Sequence, residues 1–139
     1  MKKLSLMVAM GIFCSIAIAK PTTNVSQFET YSQQMQQMSA KYMTDKKYDY
    51  AVKTTEKWLE TYNALSDKEK ATFKDVYATI MYNQACAYAK TNELYKALKS
   101  LKIAVNAGYN NVSKIQSDEN LASLKQYDEF NKIVNSIKS

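Results

Sequence analysis

The sequence contains no histidine and no arginine, and it has very little cysteine, glycine or proline. Without histidine, the chain lacks the commonest general base at neutral pH. All 19 basic residues are lysines, whereas readers of nucleic acids and phosphates usually depend on planar, bidentate guanidinium groups. We therefore expect neither an enzyme nor a nucleic-acid-binding protein.

Only two cysteines, two glycines and one proline are present. Cys14 falls in the N-terminal apolar run, so Cys86 has no partner for an intramolecular disulfide once that run is removed. No imidazole is available to make Cys86 a thiolate, and we interpret it as a small residue facing a groove or a core. Because glycine and proline are so scarce, the sequence has few of the turn signals that strands and hairpins need, which predicts an all-α chain.

The N-terminus has the pattern of a secretory signal. Two lysines precede an apolar run over residues 4–18, which ends on the small-residue sequence Ala17-Ile18-Ala19. The run is shorter than the roughly 20 residues that span a bilayer comfortably. We expect cleavage after Ala19, a periplasmic or secreted protein, and no stable membrane insertion. A retained anchor and lipid attachment at Cys14 remain alternatives.

Residues 20–139 are of the right length for a single domain with one continuous core. Cleavage would leave 17 lysines and 13 acidic residues, a mildly basic net charge of +4. The acidic pairs Asp118-Glu119 and Asp128-Glu129 suit helix starts, where the helix dipole favours negative charge. No glycine-rich phosphate loop or metal-ligand spacing is recognisable, so we expect no metal and no cofactor.

Apolar residues at steps of three and four predict a first hairpin over residues 24–65. Its two helices meet at the polar break Asp45-Lys46-Lys47, and such short connections favour antiparallel packing. A capping box at Ser66 to Glu69 starts the second hairpin, over residues 67–107, with one long helix from Asp67 to Lys90. The break at Thr91-Asn92-Glu93 leads into a helix that Gly108 ends in a left-handed conformation.

The remaining segment, residues 112–138, predicts one or two short helical turns and then a last helix that starts near Asp128. Ser117 or Asp118 can cap the short turn, and Asp128 can cap the last helix. We expect the apolar face of this segment to cover the open end of the second hairpin.

The stretch from Tyr82 to Tyr109 resembles a tetratricopeptide repeat, a helix-turn-helix unit of about 34 residues. The resemblance rests on Asn83, Ala85 and Tyr88 in the first helix and on Ala97, Leu101 and Ala104 in the second. A more divergent copy lies 46 residues earlier, at Ala40, Tyr42, Tyr48 and Ala51. The resemblance implies antiparallel hairpins stacked as a short α-solenoid with a C-terminal capping helix.

In proteins of this family, the first helix of each hairpin lines a concave face that receives a peptide or a segment of a partner. Carried over to this chain, the resemblance implies the following partner-binding residues: Tyr82, Asn83, Cys86 and Lys90, with Gln36, Gln37 and Met43 from the divergent copy. For each of these residues a purely structural role is the competing interpretation.

The sequence thus leads to a monomeric, exported, non-catalytic module that binds a protein or peptide in the bacterial envelope. Lys90 and the mild positive charge favour an acidic or C-terminal carboxylate partner. The alternative is a small structural or accessory subunit of an envelope or surface assembly, with no peptide groove in use.

Overall fold

The computed structural model describes residues 25–138, and all regular secondary structure within them is helical. The helices are α1 (Val25–Thr44), α2 (Tyr48–Asn63), α3 (Asp67–Thr72), α4 (Lys74–Lys90), α5 (Leu94–Asn106), α6 (Val112–Ser117) and α7 (Asp128–Lys138), with a 3₁₀ segment, Glu119–Leu124, between α6 and α7. The all-α prediction is confirmed. The predicted export signal and its cleavage point after Ala19 lie outside the described residues.

Helices α1 and α2 run antiparallel, and so do α4 and α5. The Trp58 indole N–H in α2 donates to Ser32 Oγ in α1 at 2.8 Å, so the middle of one helix faces the middle of the other. In the second pair, Ser100 Oγ donates to Gln84 Oε1 at 3.0 Å. Lys96, near the start of α5, lies over the ring of Tyr88, near the end of α4.

Three helices end in the same way, on a residue with a left-handed backbone. These residues are Lys46 (φ 58°), Asn92 (φ 63°) and Gly108 (φ 112°), which follow α1, α4 and α5. The next backbone N–H then returns to a carbonyl inside the helix: Lys47 to Tyr42 at 2.8 Å, Glu93 to Tyr88 at 2.9 Å, and Tyr109 to Ala104 at 2.9 Å. The ending predicted at Gly108 is therefore present, and both hairpin connections close alike.

The prediction of one continuous helix from Asp67 to Lys90 is wrong. Helix α3 ends at Thr72 and α4 begins at Lys74, with Phe73 between them in a non-helical conformation. The buried Phe73 ring packs edge-on against Phe28 of α1, with ring centroids 4.7 Å apart. The sequence has no glycine or proline at this break. The break coincides instead with the packing of Phe73 against α1.

Of two predicted helix caps, the one at Ser66 is present and the one at Asp128 is not. At Ser66 the capping box is present, because Glu69 N donates to Ser66 Oγ while the Glu69 carboxylate accepts from Ser66 N. Helix α7 begins at Asp128 itself, so Asp128 lies in the first turn instead of preceding it. There its charge still suits the positive end of the helix dipole.

Small residues permit the close approach of α4 and α5. Ala85, Ala97 and Ala104 are fully buried, and Leu101 fills the space beside them. The apolar face of α7, with Phe130, Ile133 and Val134, joins the same core, and α7 packs against α5 and α6. Each large apolar side chain buried in this way contributes about 1.5–3 kcal/mol.

The burial pattern of α1 and α2 repeats in α4 and α5 at an interval of 46 residues. The left-handed residues Lys46 and Asn92 have this separation. Buried side chains also pair at the same interval: Met35 with Met81, Ser39 with Ala85, Ala51 with Ala97, Thr55 with Leu101, and Trp58 with Ala104. The chain therefore uses one local arrangement twice, with different side chains at the crossing.

Candidate functional site

A groove lies where the C-terminal half of α1, the middle of α4 and the α6 to 3₁₀ region come together. It consists of two adjoining pockets, of about 210 and 590 Å³, which share Met43, Lys114, Asp118 and Asn120. The smaller pocket is also lined by Ser39, Ala40, Tyr82, Asn83 and Cys86. The larger one is also lined by Thr44, Lys46, Tyr48, Lys90, Ser117 and Glu119.

The carboxylate of Asp118 ties the C-terminal segment to α4 beneath this groove. Tyr82 Oη donates to Asp118 Oδ2 at 2.6 Å, and the Asn120 backbone N–H and side-chain amide both donate to Asp118 Oδ1 at 2.9 Å. Lys114 Nζ lies 3.5 Å from Oδ2. Asp118 is only 8% exposed, and of the two predicted candidates, Ser117 and Asp118, it is the one that caps the 3₁₀ segment.

These contacts determine the charge state of Asp118. Burial opposes ionisation and raises the pKa, but hydrogen bonds from Tyr82 and Asn120 and the charge of Lys114 outweigh it, so the pKa of Asp118 lies below its ordinary value. Asp118 is therefore a carboxylate at neutral pH. For Tyr82, burial together with neighbouring negative charge raises the pKa, so its hydroxyl remains a hydrogen-bond donor.

The wall of the smaller pocket is held by aromatic stacking. The rings of Tyr82 and Tyr109 are nearly parallel, with centroids 4.3 Å apart, so the residue after Gly108 supports the pocket from behind. Cys86 Sγ lies 3.9 Å from Asp118 Oδ2. Burial and the nearby Asp118 charge raise the pKa of the Cys86 thiol to about 12. At neutral pH Cys86 is thus an uncharged thiol and not a nucleophile.

Lysines surround the larger pocket. Lys90 is exposed, and its ammonium lies 5.7 Å from the centroid of the Tyr48 ring, a cation–π contact that holds it at the rim. Lys46 is also exposed, and Lys114 contributes a further positive charge. Asp118 and Glu119 supply the opposing negative charges, and Asp118 is already engaged by its donors.

The structure brings five of the seven residues implied by the family resemblance to this groove. Met43 lines both pockets. Tyr82, Asn83 and Cys86 line the smaller pocket, and Lys90 lines the larger. Gln36 and Gln37 line neither pocket; Gln36 Nε2 instead donates to the Ser32 carbonyl at 3.3 Å, and Gln37 is exposed.

Five residues that line the smaller pocket were not foreseen from the sequence: Ser39, Ala40, Lys114, Asp118 and Asn120. The last three come from the segment between α5 and α7, which the sequence indicated only as a cover for the core. Of these three residues, the sequence singled out only Asp118, and only as a candidate helix cap. Its contact with Tyr82, 36 residues away, has no local pattern that could reveal it.

Within residues 25–138, no group of three or more acidic, cysteine or histidine side chains is placed to hold a metal ion. In the same part of the chain, no helix is long and apolar enough to cross a membrane. A third pocket, of about 370 Å³, lies between α5 and α7 and is lined by Tyr95, Leu98, Lys99, Lys102 and Glu129.

The sequence matches no protein-family model, and no solved structure matches it. It is similar to a chloroplastic protein of Arabidopsis thaliana, with 34% identity over 53 residues. That match covers 38% of this chain and only 16% of the plant protein, so it does not define a family for this chain. Fold and groove together describe an all-helical protein with a polar, lysine-rimmed cleft.

Proposed function

We propose that this protein is an exported, non-catalytic module of the tetratricopeptide type, which binds a segment of a protein or peptide in the bacterial envelope. One observation carries the proposal: Met43, Tyr82, Asn83, Cys86 and Lys90, which the family resemblance selects, all line one groove. The groove faces solvent at its lysine rim and is closed below by the Asp118 network.

The internal repetition supports the assignment to this type. Two antiparallel helix pairs recur, and each connection closes on a left-handed residue, Lys46 or Asn92. Their interval of 46 residues is longer than the family unit of about 34 residues, and the additional short helix α3 lies between the two pairs. Ala97 and Ala104 lie at the α4–α5 crossing, as the resemblance requires. In the first pair, Thr55 and Trp58 occupy the corresponding buried positions, so that pair packs around a larger side chain.

The chemistry of the groove supports binding without catalysis. The Cys86 thiol is protonated at neutral pH, and the chain has no histidine to activate it. The Asp118 carboxylate is occupied by hydrogen bonds from Tyr82 and Asn120, which makes it a structural group and not a free base.

The charges at the rim favour an acidic segment as the partner. Lys46 and Lys90 are exposed, whereas the only acidic side chain of the larger pocket besides the engaged Asp118 is Glu119. Exposed charges of this kind add little affinity individually, but they speed association and select against basic partners. The bound segment is short, because only one groove of this kind is formed within residues 25–138.

Selection of peptides from a random phage library against the immobilised exported chain tests the proposal. We expect enrichment of acidic peptides, whose addition shifts the amide NMR signals of Met43, Asn83 and Lys90. The double variant Asn83→Ala, Lys90→Glu should weaken binding at least tenfold, because it removes a polar wall and reverses a rim charge. Lys74→Glu, an equal charge reversal at an exposed lysine that begins α4 and lines none of these pockets, serves as the control and should bind normally.

Two results would reject the groove as the binding site. The first is selected peptides that shift only signals around Tyr95 and Leu98, in the α5–α7 pocket. The second is equal binding by the double variant and the Lys74→Glu control. Tyr82 is left intact in these variants, because its buried hydroxyl bond to Asp118 would make loss of binding hard to separate from loss of stability.

A structural subunit of an envelope assembly is the second candidate, favoured by one observation. The Tyr95 side chain is 80% exposed on α5 and lies beside Leu98 in the pocket between α5 and α7. Large exposed aromatic groups are typical of surfaces that other proteins cover. Sedimentation analysis separates the candidates: a monomer across the micromolar range supports the module, and self-assembly that Tyr95→Ser abolishes supports the subunit.

A further inference from the structure

Ser39 has an unusual position in the wall of the smaller pocket. It is 1% exposed, and its hydroxyl has no hydrogen-bond partner among the described residues. Other hydroxyl groups in these helices return to the carbonyl four residues earlier, as those of Thr44 and Thr54 do at 3.1 and 2.7 Å. A buried hydroxyl without a partner is destabilising, so its presence at a pocket wall requires a reason.

The internal repeat shows that the fold does not need this hydroxyl. Ala85 occupies the position 46 residues later, and it is fully buried at the crossing of α4 and α5. An alanine therefore suffices for close helix packing at this position. The hydroxyl of Ser39 adds a polar group to a crossing whose counterpart has none.

The polar groups still available in the smaller pocket are mainly donors. The Asp118 carboxylate already accepts from Tyr82 and Asn120 and is paired with Lys114. Lys114 retains further N–H groups, since an ammonium has three, and the Ser39 hydroxyl can donate as well. Asn83, half-buried on the same wall, adds an amide. The complement to such a wall is an acceptor oxygen.

We propose that the smaller pocket is a specificity subsite, which takes one side chain ending in a carboxamide or carboxylate oxygen, with Ser39 as a donor in its wall. The inference rests on the proposed function, because it assumes that a peptide segment lies in the groove. The pocket volume of about 210 Å³ suits a single side chain and is smaller than typical drug-sized sites. Ala40 and Met43 line the pocket beside the polar groups and can contact the aliphatic part of that side chain.

The charges that line the pocket are compatible with either a carboxamide or a carboxylate as the source of the oxygen. Lys114 and Asp118 balance each other on the wall, so an uncharged glutamine or asparagine meets no net repulsion. A glutamate or aspartate gains from Lys114 and from the nearby Lys46 and Lys90, but it lies close to Asp118. Binding of a carboxylate should weaken as salt is added, and binding of a carboxamide should not.

The experiment compares the exported wild-type chain with Ser39→Ala and with Ser113→Ala, an exposed serine on α6 as control. Each is used for peptide selection, and one selected peptide is then synthesised with glutamine, glutamate or leucine at the enriched position. For wild type and Ser113→Ala, we expect glutamine or glutamate to bind about tenfold more tightly than leucine. For Ser39→Ala, we expect that preference to disappear while the leucine peptide binds as before.

Thermal unfolding provides a second readout. Ser39→Ala should melt no lower than wild type, because the hydroxyl that it removes has no partner within the described residues. A clearly lower melting temperature would mean that the hydroxyl serves the fold, which would overturn the inference. Selected peptides that prefer leucine would also overturn the inference. A glutamine preference that persists in Ser39→Ala would do the same, because it is expected if a bound water, and not the peptide, satisfies the Ser39 hydroxyl. Failure to select any peptide would overturn the proposed function itself.

Discussion

Replacement of Asp118 by alanine should destabilise the protein more than any other substitution of an acidic residue in α3–α7. The change removes the cap of the 3₁₀ segment, which is worth about 1 kcal/mol. It also removes the charge-assisted bond at 2.6 Å and leaves the buried Tyr82 hydroxyl without its acceptor, at about 1.5–3 kcal/mol. Lys114 is half-exposed and adds little. The expected loss is about 2.5–4 kcal/mol.

Urea unfolding followed by circular dichroism measures this loss. Asp75→Ala is the matched control, since Asp75 is exposed in the first turn of α4 and should lose less than about 1 kcal/mol. A double-mutant cycle with Tyr82→Phe isolates the hydroxyl contact. Tyr82→Phe should destabilise the wild type, but in the Asp118→Ala background it should be neutral or stabilising, because the hydroxyl there is already stranded.

The pH dependence has a definite sign. The pKa of Asp118 is lower in the folded protein than in the unfolded chain, so its stabilisation is complete above the unfolded value, about 3.9, and is lost as the pH falls through the folded value. The gap in unfolding free energy between wild type and Asp118→Ala should therefore narrow below about pH 4. A constant gap down to about pH 2, or a loss no larger than that of Asp75→Ala, would refute this account of Asp118.

Three further predictions concern other parts of the chain. Ala97→Leu should overpack the α4–α5 crossing by about 1–3 kcal/mol in urea unfolding, whereas the exposed Ala122→Leu should not, and equal stabilities would contradict the packing described. Gly108→Ala adds a Cβ that meets no atom within 4 Å, so its cost of about 1–2 kcal/mol arises from the left-handed backbone alone. Asn92→Gly, at another left-handed residue, should cost much less in the same assay. Iodoacetamide at about pH 8 should alkylate Cys86 slowly in the native protein and rapidly in urea, and equal rates would contradict its burial.

Much of the helical framework could be predicted because its signals are local. The steps of three and four residues indicated α1, α2 and α5, and Ser66 and Gly108 marked a start and an end through contacts within a few residues. The break at Phe73 could not be predicted, since it accompanies packing of this ring on Phe28, far away in the sequence. A periodic pattern continues across one non-helical residue without any visible change.

The groove was predictable only on the side that carries the repeat pattern. The family resemblance selected Asn83, Cys86 and Lys90, and all three line the groove. The opposite wall, with Lys114 and Asn120, depends on how the segment after α5 folds back, which no spacing in the sequence reveals. Ser39 was missed for another reason, because a serine in a helix ordinarily satisfies itself on its own backbone.

The contact between Tyr82 and Asp118 also implies an order in which the parts of the groove form during synthesis. The chain emerges from the ribosome with α1 to α5 ahead of the segment that carries Lys114, Asp118 and Asn120. The early part can form its local helix pairs, but the third wall of the groove and the acceptor for Tyr82 arrive last. A partner that requires this wall meets a finished surface only after the chain has emerged at least as far as Asn120, so premature capture of the nascent protein is disfavoured.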